Sequence, residues 1–130
     1  MSRSLFALVG LLFSLVLFAC SSTPPEPTVD SVSFPELALD AAGNYSAVGT
    51  IAAHSPNGAI STIQIHVLPA QNGVTLQDGA PIGVGGAPSP YTISLAFPPA
   101  APSGVYTIQV TATDVTGATS APYTTSVTVQ

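Results

Sequence analysis

The chain has 130 residues, of which six are acidic and only one, Arg3, is basic. Binding to nucleic acids and to anionic lipid headgroups depends on lysine and arginine, so this composition excludes both kinds of partner. The single cysteine, Cys20, also excludes an intramolecular disulfide.

The first 19 residues have the features of a secretory signal peptide. Arg3 gives the segment a positive start, and an uncharged hydrophobic run extends from Leu5 to Ala19. This run has fifteen residues, whereas a membrane-spanning helix needs about 20, so cleavage is favoured over a retained span. Removal of residues 1–19 leaves 111 residues, enough for one domain, with six acids and no basic residue.

Cys20 stands directly after the hydrophobic run. The segment Leu17-Phe18-Ala19-Cys20 resembles the lipobox of bacterial lipoproteins, with an aliphatic residue three before the cysteine and a small one next to it. The resemblance implies cleavage after Ala19, a diacylglycerol on the Cys20 thiol and acylation of the new amino group, and two or three acyl chains anchor stably. The alternative is a free cysteine near an ordinary cleavage site.

The residue after the cysteine bears on the compartment. Ser21 stands where the lipoprotein family often has an aspartate as a signal for inner-membrane retention. The resemblance therefore implies a protein of the cell envelope, in the outer membrane rather than the inner one if the cell has both. Residues 20–28 are predicted to form the lipidated cysteine and a proline-rich linker.

Residues 29–130 are predicted to form one all-β domain. Short apolar alternations are separated by clusters of glycine, proline, asparagine and aspartate, which is typical of a sandwich. The passage from Pro69 to Pro90 is irregular and predicts short strands at Val74–Leu76 and Ile82–Val84. The other predicted strands are Val29–Phe34, Tyr45–Ala53, Ala59–Val67, Tyr91–Phe97, Ser103–Thr113 and Tyr123–Val129.

One of these strands carries a motif. The pattern Gly104-x-Tyr106-x-Ile108 is similar to the tyrosine corner of immunoglobulin folds. Residues 29–130 accordingly resemble a bacterial immunoglobulin-like or fibronectin-III-like domain, which implies a Greek-key β-sandwich of about seven strands. The chain has no tryptophan and no cysteine pair, which excludes an antibody-type domain. The resemblance specifies a fold and almost nothing about function.

The residues that could carry chemistry are few and scattered. His54 and His66 are predicted at opposite ends of the domain, roughly 20 Å apart at about 3.3 Å per strand residue, too far to share a metal ion. Asp114 with Asn57 could suggest a calcium site, but the acids stand singly and are interpreted as turn formers. No Gly-x-Ser-x-Gly elbow occurs. We therefore expect no metal, no cofactor and no enzymatic activity.

The strand order predicts which loops share an end of the domain. The linker and the turns Ser55–Gly58 and Asp114–Gly117 should lie together, near the membrane. The loop Phe97–Pro102 should then lie at the far end as an exposed, apolar, polyproline-like segment, or simply as a stiff connection. As an exposed segment it would bind a partner, with Phe97, Pro98, Pro99 and Pro102 as the contact residues.

Two functions are consistent with these observations. The first is a non-enzymatic surface lipoprotein, anchored through Cys20, that acts as an adhesion, scaffold or accessory subunit and has a protein partner in the envelope. The alternative is a lipoprotein that binds a small ligand or carbohydrate on a strand face or in the loops of Val74–Pro90, which would need exposed aromatic rings. Only Tyr45, Tyr91 and Tyr123 could supply such rings.

Overall fold

A computed structural model describes residues 24–68 and 79–130 of the chain. The described residues are all-β and form two sheets of an immunoglobulin-like sandwich, as predicted. The described residues contain eight strands, where about seven were expected. They are β1 (Thr28–Ser33), β2 (Ala38–Leu39), β3 (Tyr45–His54), β4 (Ile60–Val67), β5 (Ile82–Gly83), β6 (Tyr91–Phe97), β7 (Gly104–Asp114) and β8 (Tyr123–Val129).

The strands pair in the pattern of a sandwich with two edges per sheet. In the first sheet β3 is central, with β1 and β2 along one side and β6 along the other. The second sheet has the order β5-β4-β7-β8. Every pairing between these named strands is antiparallel. The strand predicted at Val74–Leu76 lies outside the described residues, whereas the one at Ile82–Val84 is confirmed as β5.

The core lies between the sheets and follows from strict alternation along the strands. In β6, every second residue from Tyr91 to Phe97 is buried and the residues between them are exposed. In β7, buried residues alternate with partly exposed ones from Tyr106 to Ala112. Burial of one such aliphatic side chain stabilises the fold by about 1.5–3 kcal/mol. These two strands therefore contribute much of the hydrophobic stabilisation.

Strand β2 was not predicted, and it accompanies a crossing from one sheet to the other. After β1 the chain passes Pro35, and Leu37 then forms a parallel bridge to Val129 of β8. The Leu37 amide donates a 2.8 Å hydrogen bond to the Thr128 carbonyl, and its carbonyl accepts one of 3.1 Å from Gln130. The side chain of Leu37 is fully buried. Leu37 therefore closes part of the edge between the two sheets.

The crossing requires a close approach at Gly49 in the middle of β3. A Cβ atom at this position would collide with the Ser33 carbonyl oxygen and the ring of Phe34. Only glycine allows the end of β1 to lie this close to β3. Phe34 was predicted to be the last residue of the first strand, but it lies one residue beyond it, where the chain turns toward the second sheet.

The two ends of the sandwich differ in the loops that they bring together. At one end, the start of β1 pairs with His54 at the end of β3, and the β7–β8 connection begins at Asp114. We call this the linker end, because residues 24–27 enter there. The opposite end holds the β6–β7 loop and Gln130, and we call it the free end. The predicted grouping of the loops is thereby confirmed for the described residues.

Candidate functional site

The β6–β7 loop lies at the free end and contains the residues predicted to bind a partner. Pro98 and Pro99 are exposed, and Pro102 is partly exposed. The amide of Ala101 donates a 3.0 Å hydrogen bond to the Pro98 carbonyl, and the Ala101 side chain is buried. The loop is thus a turn fastened to the domain, with the rings of Pro98 and Pro99 on its outside.

Phe97 is not part of the exposed surface of this loop, contrary to the sequence-based expectation. It stands at an inward position of β6, and its side chain is only 3% exposed. Its ring meets that of Tyr106 edge to face, with centroids 5.1 Å apart and planes at 76°. Phe97 therefore lacks the exposure that a contact residue needs. Its ring supports the loop from inside by packing against Tyr106. Partner binding by Pro98, Pro99 and Pro102 stays a prediction.

Tyr106 fixes the same loop through its hydroxyl group. This hydroxyl donates a 2.7 Å hydrogen bond to the carbonyl of Pro102, four residues upstream. The ring itself is fully buried. The bond has the geometry of a tyrosine corner, so this part of the resemblance to immunoglobulin folds is confirmed.

The linker end is built around the carboxylate of Asp114, the one acid that is buried among the described residues. Its Oδ1 atom accepts hydrogen bonds from the backbone and hydroxyl of Thr116, at 2.9 and 2.6 Å, and from the Ala118 amide at 3.2 Å. Its Oδ2 atom accepts from the Ser55 hydroxyl at 2.7 Å and the Asn57 side chain at 3.0 Å. Both oxygens are therefore satisfied by protein donors.

These hydrogen bonds set the charge state of Asp114. The bonds from Thr116, Asn57 and Ser55 stabilise the ionised carboxylate and hold the pKa of Asp114 well below its usual range, although burial acts in the opposite direction. A calcium site needs six to eight oxygen ligands, whereas the neighbours of this carboxylate present N–H and O–H donors to it. The pairing of Asp114 with Asn57 is therefore a structural one.

Asn57 also fastens the linker to the domain. Its Nδ2 atom donates to the carboxylate of Asp114 and, at 2.6 Å, to the carbonyl of Pro25. Two residues further along, Pro27 is buried. The last residues of the linker thus pack on the domain, and any tether upstream of Pro24 leaves from the linker end.

The two histidines lie apart. His54 is the last residue of β3, which lies in the first sheet and stops at the linker end. His66 is the next-to-last residue of β4, which lies in the second sheet and stops near the free end. His54 Nδ1 lies 2.8 Å from Asp30 Oδ2, in a pair that is largely exposed to solvent. Within residues 24–68 and 79–130, no group of three histidine, cysteine or acidic side chains could hold a metal ion.

None of the three tyrosines considered for carbohydrate binding is fully exposed. Tyr91 is 6% exposed, and burial raises the pKa of its hydroxyl. Tyr45 and Tyr123 are half-buried and pack against the core. Stacking on a sugar requires an accessible ring face, which Tyr91 lacks and which Tyr45 and Tyr123 offer only in part. Burial therefore argues against carbohydrate stacking at Tyr91, and binding at Tyr45 or Tyr123 stays a prediction.

A further feature lies on the side of the sandwich, along β6. This strand pairs with β3 through all seven residues in unbroken register, and no described strand pairs with its other side. Thr92, Ser94 and Ala96 are exposed on the outer face. A cleft of about 640 Å³ opens between this edge and the second sheet. Its apolar walls are formed by Ile65, Val67, Ile82, Leu95 and Phe97.

The predicted lipidation site, Cys20, lies outside the described residues. In the part of the chain that the structure describes, no helix has the length and hydrophobicity to cross a membrane. Modification of Cys20 and cleavage before it stay predictions.

Comparison with solved structures identifies two similar chains. The PKD domain of an M14-like peptidase from Thermoplasmatales archaeon SCGC AB-540-F20 is 20% identical, with a TM-score of 0.52; the match covers 82% of this chain and 98% of that domain. The PKD1 domain of Vibrio anguillarum Epp is 17% identical, with a TM-score of 0.46, over 83% and 100%. No family model and no curated protein matches the sequence. The first likeness supports the immunoglobulin-like fold.

Proposed function

We propose that the chain is a non-enzymatic surface lipoprotein, anchored in the cell envelope through acyl chains on Cys20 and acting as an adhesion, scaffold or accessory subunit. The proposal combines the lipobox-like segment with an immunoglobulin-like domain, a fold whose PKD-type members often serve as adhesion or scaffold modules. The outer membrane is the expected location in a cell with two membranes. The partner is a protein of the envelope.

One observation carries this proposal, namely the hydrogen bond from Asn57 to Pro25. It fastens the end of the linker at one end of the sandwich, while the proline turn of Pro98 and Pro99 lies at the other. A tether from Cys20 would therefore direct this turn away from the membrane. The predicted linker is extended by its prolines, at about 3.1 Å per residue, so it would also hold the domain clear of the headgroups.

The polar side chains at the linker end support a non-enzymatic role. The Asp114 carboxylate is occupied by five donors, and its low pKa makes it a poor proton acceptor at neutral pH. The histidine nearest to it in the fold, His54, is paired with Asp30. These groups stabilise turns and strand ends, and none is arranged as a nucleophile with its base.

The anchor is tested by metabolic labelling with an alkyne-tagged fatty acid, followed by membrane fractionation. The wild-type chain should incorporate label and sediment with membranes, whereas Cys20→Ser should do neither. Ser21→Ala is the matched control, because it changes the neighbouring hydroxyl and keeps the thiol. An unlabelled wild-type chain in the soluble fraction would refute the anchor.

The partner surface is tested by photo-crosslinking in cells. A photoreactive residue at Pro99 should capture a distinct envelope protein, because Pro99 is exposed on the free end. The same residue at Thr124 is the control, since Thr124 is also exposed but lies at the start of β8, near the linker end. Equal capture at both positions would show that the proline turn is not the binding surface.

A further inference from the structure

The four sheet edges are not protected equally. Natural sheets block edge-to-edge pairing with charges, bulges, prolines or very short strands. Strand β1 carries Asp30 and a register shift next to it, and β5 has only two residues. Strand β8 is instead covered at its far end by Leu37, which pairs with Val129. Each of these three edges has at least one device against pairing.

Strand β6 has none of these devices. It is seven residues long, contains no proline and no charge, and keeps a continuous register with β3. Its two flanks are also neutral, because residues 79–113 contain no acidic, basic or histidine residue. Among the described residues, its outer edge has no pairing partner. Of the edges formed by described strands, it is therefore the one that is open to another strand.

The sequence of β6 has the symmetry that a second copy requires. Read outward from Ser94, it has Ile93 and Leu95 as neighbours, then Thr92 and Ala96, and finally Tyr91 and Phe97. An antiparallel pair centred on Ser94 would thus place aliphatic beside aliphatic, small beside small and aromatic beside aromatic. A two-fold interface uses the same patch on both subunits, so such a strand is complementary to itself.

The distribution of acidic residues also favours a second copy of the chain as the pairing partner of β6. Residues 20–130 carry six acids and no basic residue, so most approaches of two copies would bring like charges together. The described acids lie away from β6: Glu26, Asp30 and Asp114 at the linker end, and Glu36 and Asp40 after β1 on the far side of β3. The β6 edge is thus a surface on which two copies can meet without close repulsion.

We propose that the β6 edge is a self-association site, at which two copies of the chain pair antiparallel about a two-fold axis at Ser94. The pairing joins the two first sheets into one continuous sheet. It does not depend on the lipid anchor or on the proline turn. Because the strands run in opposite directions, the linker ends of the two copies point to opposite ends of the pair, so two anchored copies pair only where two membrane surfaces face each other.

The register is tested by disulfide formation between two cysteine variants. In the proposed pair Thr92 of one copy lies opposite Ala96 of the other, at a Cα separation of about 4.5–5.5 Å. The Thr92 residues of the two copies are four strand positions apart, about 13 Å, which is beyond the reach of a disulfide. Differently tagged Thr92→Cys and Ala96→Cys full chains are purified in detergent, mixed and mildly oxidised.

The mixture should give about tenfold more disulfide-linked dimer than either variant alone, since only the mixed pair has disulfide geometry. A mixture of Val48→Cys and Ala96→Cys is the control, because Val48 lies on the same outer face but one strand inward. A disulfide from Cys20 to the introduced cysteine can form equally in each variant oxidised alone, so those single variants are the reference for the mixture. Equal yields in all mixtures would overturn the proposal.

A charge variant tests the interface without any engineered cross-link to hold it. Ser94→Lys places two ammonium groups opposite each other at the two-fold axis, and the dimer fraction of the full chain, measured by sedimentation in detergent, should fall about fivefold. Val48→Lys adds the same charge one strand away and should leave the dimer intact. A wild-type chain that stays monomeric, as it would if residues 69–78 of the same chain paired with β6, overturns the proposal.

Discussion

Removal of one oxygen atom from Tyr106 isolates the contribution of the tyrosine corner. Tyr106→Phe deletes the hydroxyl that donates to the Pro102 carbonyl at 2.7 Å and keeps the ring that packs on Phe97 at 5.1 Å. One intramolecular hydrogen bond contributes about 0.5–1.5 kcal/mol net. Pro102 is partly exposed, so water can reach its carbonyl and the loss should not exceed this range.

The corresponding change in the melting temperature is large enough to measure. A loss of 1 kcal/mol lowers the Tm of a domain of this size by about 4–8 °C. Thermal unfolding, followed by circular dichroism, is compared for the wild type and Tyr106→Phe in a soluble form that begins at Pro24 and contains both sheets. Urea unfolding at 25 °C gives the free energy of unfolding directly, and an unchanged m-value confirms that both variants unfold from the same compact state.

Tyr123→Phe is the matched control. Tyr123 is half-buried, and no described residue forms a hydrogen bond with its hydroxyl, so its loss should change stability by less than about 0.5 kcal/mol. Two results would refute the reasoning. If both variants lose equally little, the corner bond has no net value; if Tyr106→Phe loses more than about 3 kcal/mol, the hydroxyl has a role beyond one bond.

Three further predictions concern the sheet crossing and the linker end. Gly49→Ala should lose at least about 1–3 kcal/mol of stability, because its methyl group collides with Ser33 and Phe34; Gly83→Ala, which has open space, should be neutral in the same urea titration. Leu37→Ala should lose about 2–5 kcal/mol, and a loss below 1 kcal/mol would mean that Leu37 does not hold the crossing. For Asp114, the depressed pKa means that the ionised form stabilises the fold above the unfolded pKa of about 3.9 and that this contribution is lost as the pH falls below it. The stability of Asp114→Asn, measured by urea unfolding from pH 2 to 7, should therefore decline less on acidification than that of the wild type, and parallel pH profiles would contradict the assignment.

The strands that alternate over their whole length could be predicted from the sequence. Tyr91–Phe97 and Tyr123–Val129 were predicted with the boundaries that the structure has. In a half-buried strand every second side chain faces the core, so the alternation of apolar and polar residues marks the strand from start to end. Tyr106 was identified because a tyrosine corner has a fixed local spacing. In each case the signal lies within a few consecutive residues.

The sheet crossing could not be predicted in the same way. Strand β2 has only two residues, and the neighbouring Leu37 pairs with Val129, which is far away in the sequence. No local pattern encodes such a contact. Gly49 was the one available signal, since a glycine inside a strand indicates close approach of another backbone, but the sequence does not say which segment approaches.

The candidate sites show the same difference. Pro98 and Pro99 were placed correctly on the surface, because prolines between two strands form a turn. Phe97 was assigned both to the predicted strand Tyr91–Phe97 and to the exposed loop Phe97–Pro102, and its alternation with Leu95 was the stronger of the two signals. The five donors around Asp114 come from two turns that are distant in sequence, so only the folded structure brings them together.

The crossing at Leu37 has a mechanical consequence. Residues 24–27 lie at the linker end of the sandwich and Gln130 lies at the free end, so in an anchored chain a pull between the anchor and a load at the free end would act along the strands. Leu37 and Val129 run parallel at that point, and the bonds on both sides of Leu37 would then be sheared together instead of being unzipped one after another. A module with this attachment should resist stretching between two surfaces better than its modest size suggests.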